Sequence, residues 1–398
     1  MIPELREQYN RDFSEEKFAR FLERLDYRTR LHIEFRVCET PLFVPKEIQR
    51  LCEDAAVQLA LDAHDPEYLK RSDATLYPEI AVPGQSDRAT FLAVDFAMTA
   101  GPDGNIVPKL IELQGFPSLM GYQLFLSELM QEHFSLPSNL TGINGGHSRA
   151  EFLDLLHRTI VAGHDPEHVI LMELDPWKQK TCPDFSAIHE LLGIAVVDVR
   201  DVKKQGNRLF YTNGKGQDVR VERIFNRTIV DEIERRNVAL PFRWNDDLHV
   251  EWAGHPNWFF RISKYTLPFL KHPLVPPASF LSDLDVWPEN LANYVLKPLF
   301  SFAGAGVIVG PSREDLDAIP KEDRSGYLLQ ERIEFCDAVS TPYGGTKAEM
   351  RVMLVWPDDE ERPLPVMGLV RMGRGEKMGV DQNRDMKWIG AGCNFFEV

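Results

Sequence analysis

Cysteine is scarce and scattered. Cys38, Cys52, Cys182, Cys336 and Cys393 are the only five in 398 residues, with no C-x-x-C pair and no histidines at zinc-site spacing. They read as reduced, mostly buried thiols, which argues against a disulfide framework or a thiolate metal site. Long apolar runs are missing too: nothing approaches the ~18 residues of a membrane span, so no membrane partner is expected. The first stretch, MIPELREQYNRDF, is polar and acidic, unlike a secretory or transit sequence, and a cytoplasmic protein is the default expectation. Clustered Lys and Arg are absent from a chain of formal net charge −16, which argues against nucleic-acid binding. A few local cations can still hold a small anion inside an acidic protein. The eleven histidines form no H-E-x-x-H motif and no clear nucleophile–base pairing, so a hydrolase triad has no support. There are no repeats and no low-complexity segment.

What is present is an ordinary globular composition, 43% hydrophobic and 27% charged, on a chain long enough for two or three lobes. Residues 1–90 are expected to be largely helical. EEKFARFLERL and PKEIQRLCEDAAVQLALDA space apolar residues by three and four, with Ser14 and Pro45 as helix starts. TFLAVDFAMT alternates, turns at GPDGN and continues as VPKLIELQGF, which predicts a hairpin, and 121–134 returns to a helical pattern. LPSNLTGINGGHS is turn-rich and marks a candidate boundary.

Between 165 and 230, HVILMELDP, FSAIHELLG and IAVVDVRDV read as strand, helix and strand, hence a parallel α/β unit, followed by a hairpin around NGKG. The segment 235–293 is mixed. From 294 strands resume: NYVLKPLF, VIVG, GYLLQERIE, EMRVMLVW and PVMGLVRM, then a glycine- and charge-rich tail ending in a short strand.

Several patterns carry chemistry. In YVLKPLFSFAGAGVIV a lysine, Lys297, leaves a strand into a small-residue loop. Glycines there let backbone N–H groups approach phosphate oxygens while the lysine supplies a point charge. It is not a Walker loop, because G-K-[ST] and a following helix are missing; a glycine-rich turn without a ligand is the plain alternative. In LLQERIEF, the strand-end residues Gln330, Glu331 and Ile333 suit an adenine hinge, or are simply a charged strand end. Asp95 and Glu112 place acids in apolar strands on either side of the GPDGN turn. Glu349 and Arg351 share one side of a strand, where Glu349 reaches a metal or nucleotide or pairs with a neighbour. Asp381 and Asn383 in GVDQNRDMKW are a rival metal pair, although that loop reads better as a lid.

Taken in order, these motifs resemble the ATP-grasp superfamily: a strand-Lys-Pro, a glycine loop, and a Glu-x-Ile hinge about thirty residues later. The acid pair VDFAM…LIELQ precedes the lysine, as in circularly permuted members, and the resemblance is closest to eukaryotic-type glutathione synthetases. It runs from about residue 91 to the end.

The fold class this implies is α+β and α/β. A circularly permuted ATP-grasp fold would carry an inserted parallel α/β substrate domain and an N-terminal helical region. The expected boundaries are 1–90 helical, 91–140 the permuted metal-binding part, 165–230 the substrate-binding unit, and 231–398 the nucleotide-binding subdomains and lid. By the same resemblance Lys264, Lys297, Ser301, Gly304, Gly306, Gln330, Glu331 and Ile333 would bind ATP. Asp95, Glu112 and Gln114 would hold Mg2+, and Arg227 and Arg371 would handle substrate carboxylate or transferred phosphate, a task a guanidinium fork suits.

Three positions depart from the family pattern. Gln114 stands for the usual Asn, Ser301 for a loop Glu, and Ala93 for the substrate arginine two residues before Asp95. The implied activity is ADP-forming carboxylate–amine ligation through an acylphosphate, with small-molecule carboxylate and amine partners. A small-molecule kinase and a non-catalytic nucleotide-binding protein are the alternatives. Related ligases are often dimers, which leaves a homodimer as an open expectation.

Overall fold

A computed structural model of the chain describes residues 1–300, 306–375, 378 and 386–398. The expected loop residues Ser301 and Gly304, and the rival pair Asp381 and Asn383, lie outside them.

The centre is a six-stranded antiparallel sheet. It runs, in spatial order, Gly390–Gly392, Leu364–Gly373, Gly344–Val355, Phe91–Ala100 and Ile106–Gln114, with Val339–Thr341 pairing the long 344–355 strand off this path. The expected hairpin forms around Gly104, whose positive φ of 73° closes the GPDGN turn. Strand alternation then sorts the residues by face. Val94, Phe96, Met350, Val352, Val370 and Met372 point to a core shared with Cys52, Ala55, Ala56 and Leu59 of the helix Lys46–Asp62. The helix Lys46–Asp62 therefore covers one face of the sheet. The helix Glu15–Thr29, begun by a Ser14 side chain that accepts from the Lys17 N–H, packs with the helix Met120–His133 in a second aromatic core. On the opposite face of the sheet, Phe91, Met353 and Val355 pack against the α/β unit.

That unit is a four-stranded parallel sheet ordered Glu251–Ala253, Arg223–Asn226, Val169–Glu173, Ala195–Asp198. The helix Cys182–Leu192 connects Val169–Glu173 to Ala195–Asp198 and ends on Gly193 at φ 72°, where a left-handed residue stops a helix. The 169–173 and 223–226 strands run parallel, but the chain adds 195–198 on one side of them and 251–253 on the other, so their carboxyl ends flank a topological switch point, the place where α/β sheets open a crevice for ligands.

A further four-stranded sheet, Ala278–Phe280, Tyr327–Glu331, Tyr294–Pro298 and Ile308–Val309, is antiparallel throughout. The turn-rich 136–148 segment contains a two-residue strand, Leu140–Thr141, paired with Asn394–Glu397, which itself pairs Leu42–Phe43. Two residues show no periodicity, so only docking against the C-terminal strand reveals this element. Among the described residues no helix is long and apolar enough to cross a membrane.

Candidate active site

Register builds the site. Asp95 lies directly across from Arg351 on one neighbour and from Glu112 on the other, while Glu349 lies across from Arg371. Residues directly opposite in a sheet share a face, so four strands present one charged row. Glu112 reaches that row through a β-bulge. Pairing shifts after Asp95↔Glu112 to Phe96↔Leu110, leaving Ile111 without a partner residue. Strict alternation would put Leu110 and Glu112 on one face; the bulge sends Leu110 to the core and brings Glu112 beside Asp95.

Asp95 is fully buried and saturated. Arg351 grips both carboxylate oxygens, Nε to Oδ1 and Nη2 to Oδ2, each at 2.6 Å, and Arg371 Nη2 adds a third contact to Oδ2 at 2.6 Å. Burial alone would raise the Asp95 pKa, but the two guanidinium groups outweigh it and hold it below the usual carboxylate value. Glu349, in ion-pair contact with the same Arg371 nitrogen, is pushed by burial up to about 7 despite that arginine. Arg371 Nε is buried with no hydrogen-bond acceptor among the described residues.

Lys297 arrives from the 294–298 strand of the neighbouring sheet. Its ammonium, buried, donates to Gln330 Oε1 at 2.6 Å and approaches Ile111 O at 3.4 Å. Burial lowers its pKa to about 8, with Glu112 opposing that shift and Lys264 adding to it. Lys264 opens the 3-10 helix Lys264–Phe269; burial lowers its pKa also, against Glu112. Glu112 is half-buried and accepts from Gln114 Nε2 at 2.7 Å. Two glycines shape this end. A Cβ on Gly115 would sit 2.6 Å from Trp258 O, and one on Gly306, at φ 71°, 2.8 Å from Pro298 Cγ. Gln330 faces inward toward Lys297, Glu331 is exposed and Ile333 half-buried. The backbone N–H groups of Glu331 and Arg332 are taken by Pro277 O and Asn293 O.

The third part lies at the switch point. Arg227 follows the 223–226 strand, buried, and its Nη1 donates to Asp184 Oδ2 at 3.0 Å and to Ser118 O at 2.9 Å. Its guanidinium carbon lies 5.2 Å from the Phe185 ring centroid, and its Nε has no acceptor among the described residues. Asp184 also receives the Tyr122 N–H at 3.1 Å, yet burial still raises its pKa above the usual value. Glu173, ending the 169–173 strand, is pushed by burial up to about 8 and accepts the Leu174 N–H at 2.7 Å. Ser118 joins the two halves, because its hydroxyl accepts from Arg351 Nη1 at 3.1 Å while its carbonyl accepts from Arg227.

The structure thus brings Asp95, Glu112, Gln114, Lys264, Lys297, Gln330 and Arg371 together, with Arg227 linked through Ser118. Ser118, Asp184 and Glu173 escape a reading from sequence. Glu173 leaves a trace, an acid closing the buried run VILME at the carboxyl end of a parallel strand; Ser118 and Asp184 leave none. Within a protein of net charge −16, five cations line this region beside five carboxyls, two of which burial pushes up to about 7 and about 8. At neutral pH the balance favours an anionic ligand.

No family model matches the chain, and no curated protein matches its sequence. Among solved structures, the chain is similar to a glutathione synthetase-like effector from Globodera pallida in its apo form. The TM-score is 0.57 at 13% identity, over 92% of this chain and 90% of that one. The likeness shows the fold, a mixed α/β architecture of the glutathione synthetase-like kind.

Proposed function

We propose that the chain is an ATP- and Mg2+-dependent carboxylate–amine ligase, built as a circularly permuted ATP-grasp enzyme and working through an acylphosphate. The observation that carries this reading is the convergence of Lys297 and Glu112 with the Asp95–Arg351–Arg371 cluster at the seam between two antiparallel sheets. Phosphoryl transfer asks a protein chiefly to position groups and neutralise charge, and these residues are equipped for both.

Lys297 and Lys264 hold the phosphates of ATP, and Gly306, at the end of the covering loop, leaves room against Pro298. Glu112, with the Gln114 amide oxygen once its N–H is turned away, offers hard oxygen ligands. One or two protein carboxylates are what Mg2+ takes when phosphates complete its shell. Bound there, the ion would neutralise phosphate charge. Asp95, expected as a metal ligand with Glu112 and Gln114, gives both oxygens to guanidinium groups and in this reading anchors the arginines, which leaves Glu112 and Gln114 as the metal ligands. Arg371 faces the transferring phosphoryl group. Arg227 and Glu173, at the switch point, orient the substrate carboxylate or the acceptor amine.

A substrate carboxylate oxygen bonds to the γ-phosphorus as the bond to the bridging oxygen breaks and ADP leaves. The amine nitrogen then bonds to the acyl carbon, the acyl C–O bond breaks, phosphate departs and the amine proton is released. Replacing Glu112 by Ala is expected to abolish ATP-dependent ADP release while far-UV circular dichroism stays unchanged; retained turnover removes Glu112 from the site. The Gln114 Nε2–Glu112 contact also suits a protein that binds nucleotide without turning it over. Binding of a nonhydrolysable ATP analogue, with no ADP formed across a broad panel of acids and amines, would select that reading.

A further inference from the structure

We infer that Arg351 is a positioning residue which sets the Arg371 guanidinium and clamps the segment at Ser118, so that the phosphoryl-side and substrate-side arginines act as one unit. The inference rests on the phosphoryl-transfer reading above. Arg351 has little solvent exposure and commits all three of its guanidinium nitrogens: Nε and Nη2 to Asp95, Nη1 to Ser118 Oγ. Arg371, by contrast, hangs from Asp95 and Glu349 through Nη2 alone, and its buried Nε–H has no acceptor among the described residues. The plane of Arg371 therefore depends on where Asp95 holds its oxygens, and Arg351 is what fixes them. A buried donor left without an acceptor is costly unless a ligand oxygen completes it. On the other side, the Ser118 carbonyl takes Arg227 Nη1, giving an unbroken chain Glu349–Arg371–Asp95–Arg351–Ser118–Arg227–Asp184 across three strands, a loop segment and the α/β unit. A lysine cannot replace Arg351, since one ammonium cannot make the two parallel bonds to Asp95 and a third to Ser118.

The test is calorimetric binding of MgADP alone and of MgADP with aluminium fluoride, a mimic of the transferring phosphoryl group, to the full chain. The parent is expected to bind the fluoride complex at least about tenfold more tightly than MgADP. Arg371→Met should lose that gain. Arg351→Met should lose the same gain while MgADP affinity stays within about twofold, and the double variant should lose no more than Arg371→Met does alone. Arg351→Lys should not rescue it, and Ser118→Ala, which leaves both contacts to Asp95 in place, should lose part of it. An Arg351→Met protein that keeps the gain, or weakens both complexes equally, overturns the inference and leaves the proposed function standing. So does an undiminished gain in Ser118→Ala, which decides the matter if Arg351→Met does not fold. A parent that binds no MgADP overturns the proposed function, and this inference with it.

Discussion

Two buried carboxylate–arginine constellations are joined through Ser118, and burial raises the carboxyl pKa in both, with opposite outcomes at Asp95 and Asp184. On the antiparallel sheet, Asp95 has two arginines on its two oxygens and its pKa is held down. In the α/β unit, Asp184 shares the single Arg227, Glu173 is touched by it only at a distance, and both pKa values go up, Glu173 to about 8. All three carboxyls are buried; the number of guanidinium contacts per carboxylate decides which state survives. Asp95 is a fixed charge, whereas Glu173, like Glu349 on its single guanidinium contact, is poised to gain or lose a proton near neutral pH.

The largest way to break this contrast is Asp95→Asn, which leaves buried Arg351 without its carboxylate partner and Arg371 with Glu349 alone. It should cost about 3–5 kcal/mol, read from urea denaturation at pH 7. Asp184→Asn removes one contact to one arginine from a carboxyl that burial already disfavours as an ion. A loss of roughly 2 kcal/mol is expected, and a loss matching that of Asp95→Asn would erase the distinction.

Glu173→Gln should behave differently again. In the unfolded chain Glu173 ionises at the ordinary glutamate value of 4.5, whereas in the fold it keeps its proton to about 8, so it lowers stability as pH rises between those values. Each unit in that window is worth ~1.4 kcal/mol. The variant should match the parent near pH 4.5 and exceed it by an amount that grows toward pH 8; a pH-independent difference would place Glu173 outside the poised class. The smallest effect concerns Lys297, whose lowered pKa of about 8 leaves part of its population neutral above that pH. Phosphate binding should draw a proton onto it, so calorimetry near pH 8.5 in buffers of different ionisation enthalpy should register uptake that Lys297→Met abolishes.

Much of this architecture was legible beforehand for clear physical reasons. Alternation in TFLAVDFAMT and the GPDGN turn foretold the hairpin, the Ser14 cap and apolar spacing foretold the helix Glu15–Thr29, and FSAIHELLG foretold the stop at Gly193. Asp95 and Glu112 stand out as acids in apolar strands and Lys297 as a strand-end lysine before a glycine-rich segment, whereas Arg227 and Arg371 come from the family resemblance alone. Ser118 and Asp184 were not identifiable, since one lies in the irregular segment before a helix and the other sits in the first turn of a helix, and both places accept polar residues routinely. The Leu140–Thr141 strand was hidden because two residues have no period.

The sequence by itself determined which residue types exist at each strand position, and so that buried charge of both signs had to be reconciled somewhere. Only the tertiary structure decided how. The bulge at Ile111 turns Glu112 onto the face of Asp95, and the register of the 344–355 strand sets Arg351 opposite that acid. Neither is encoded locally, because a bulge and a register are properties of two strands whose pairing depends on the helix 46–62 and the α/β unit packed against opposite faces of the sheet.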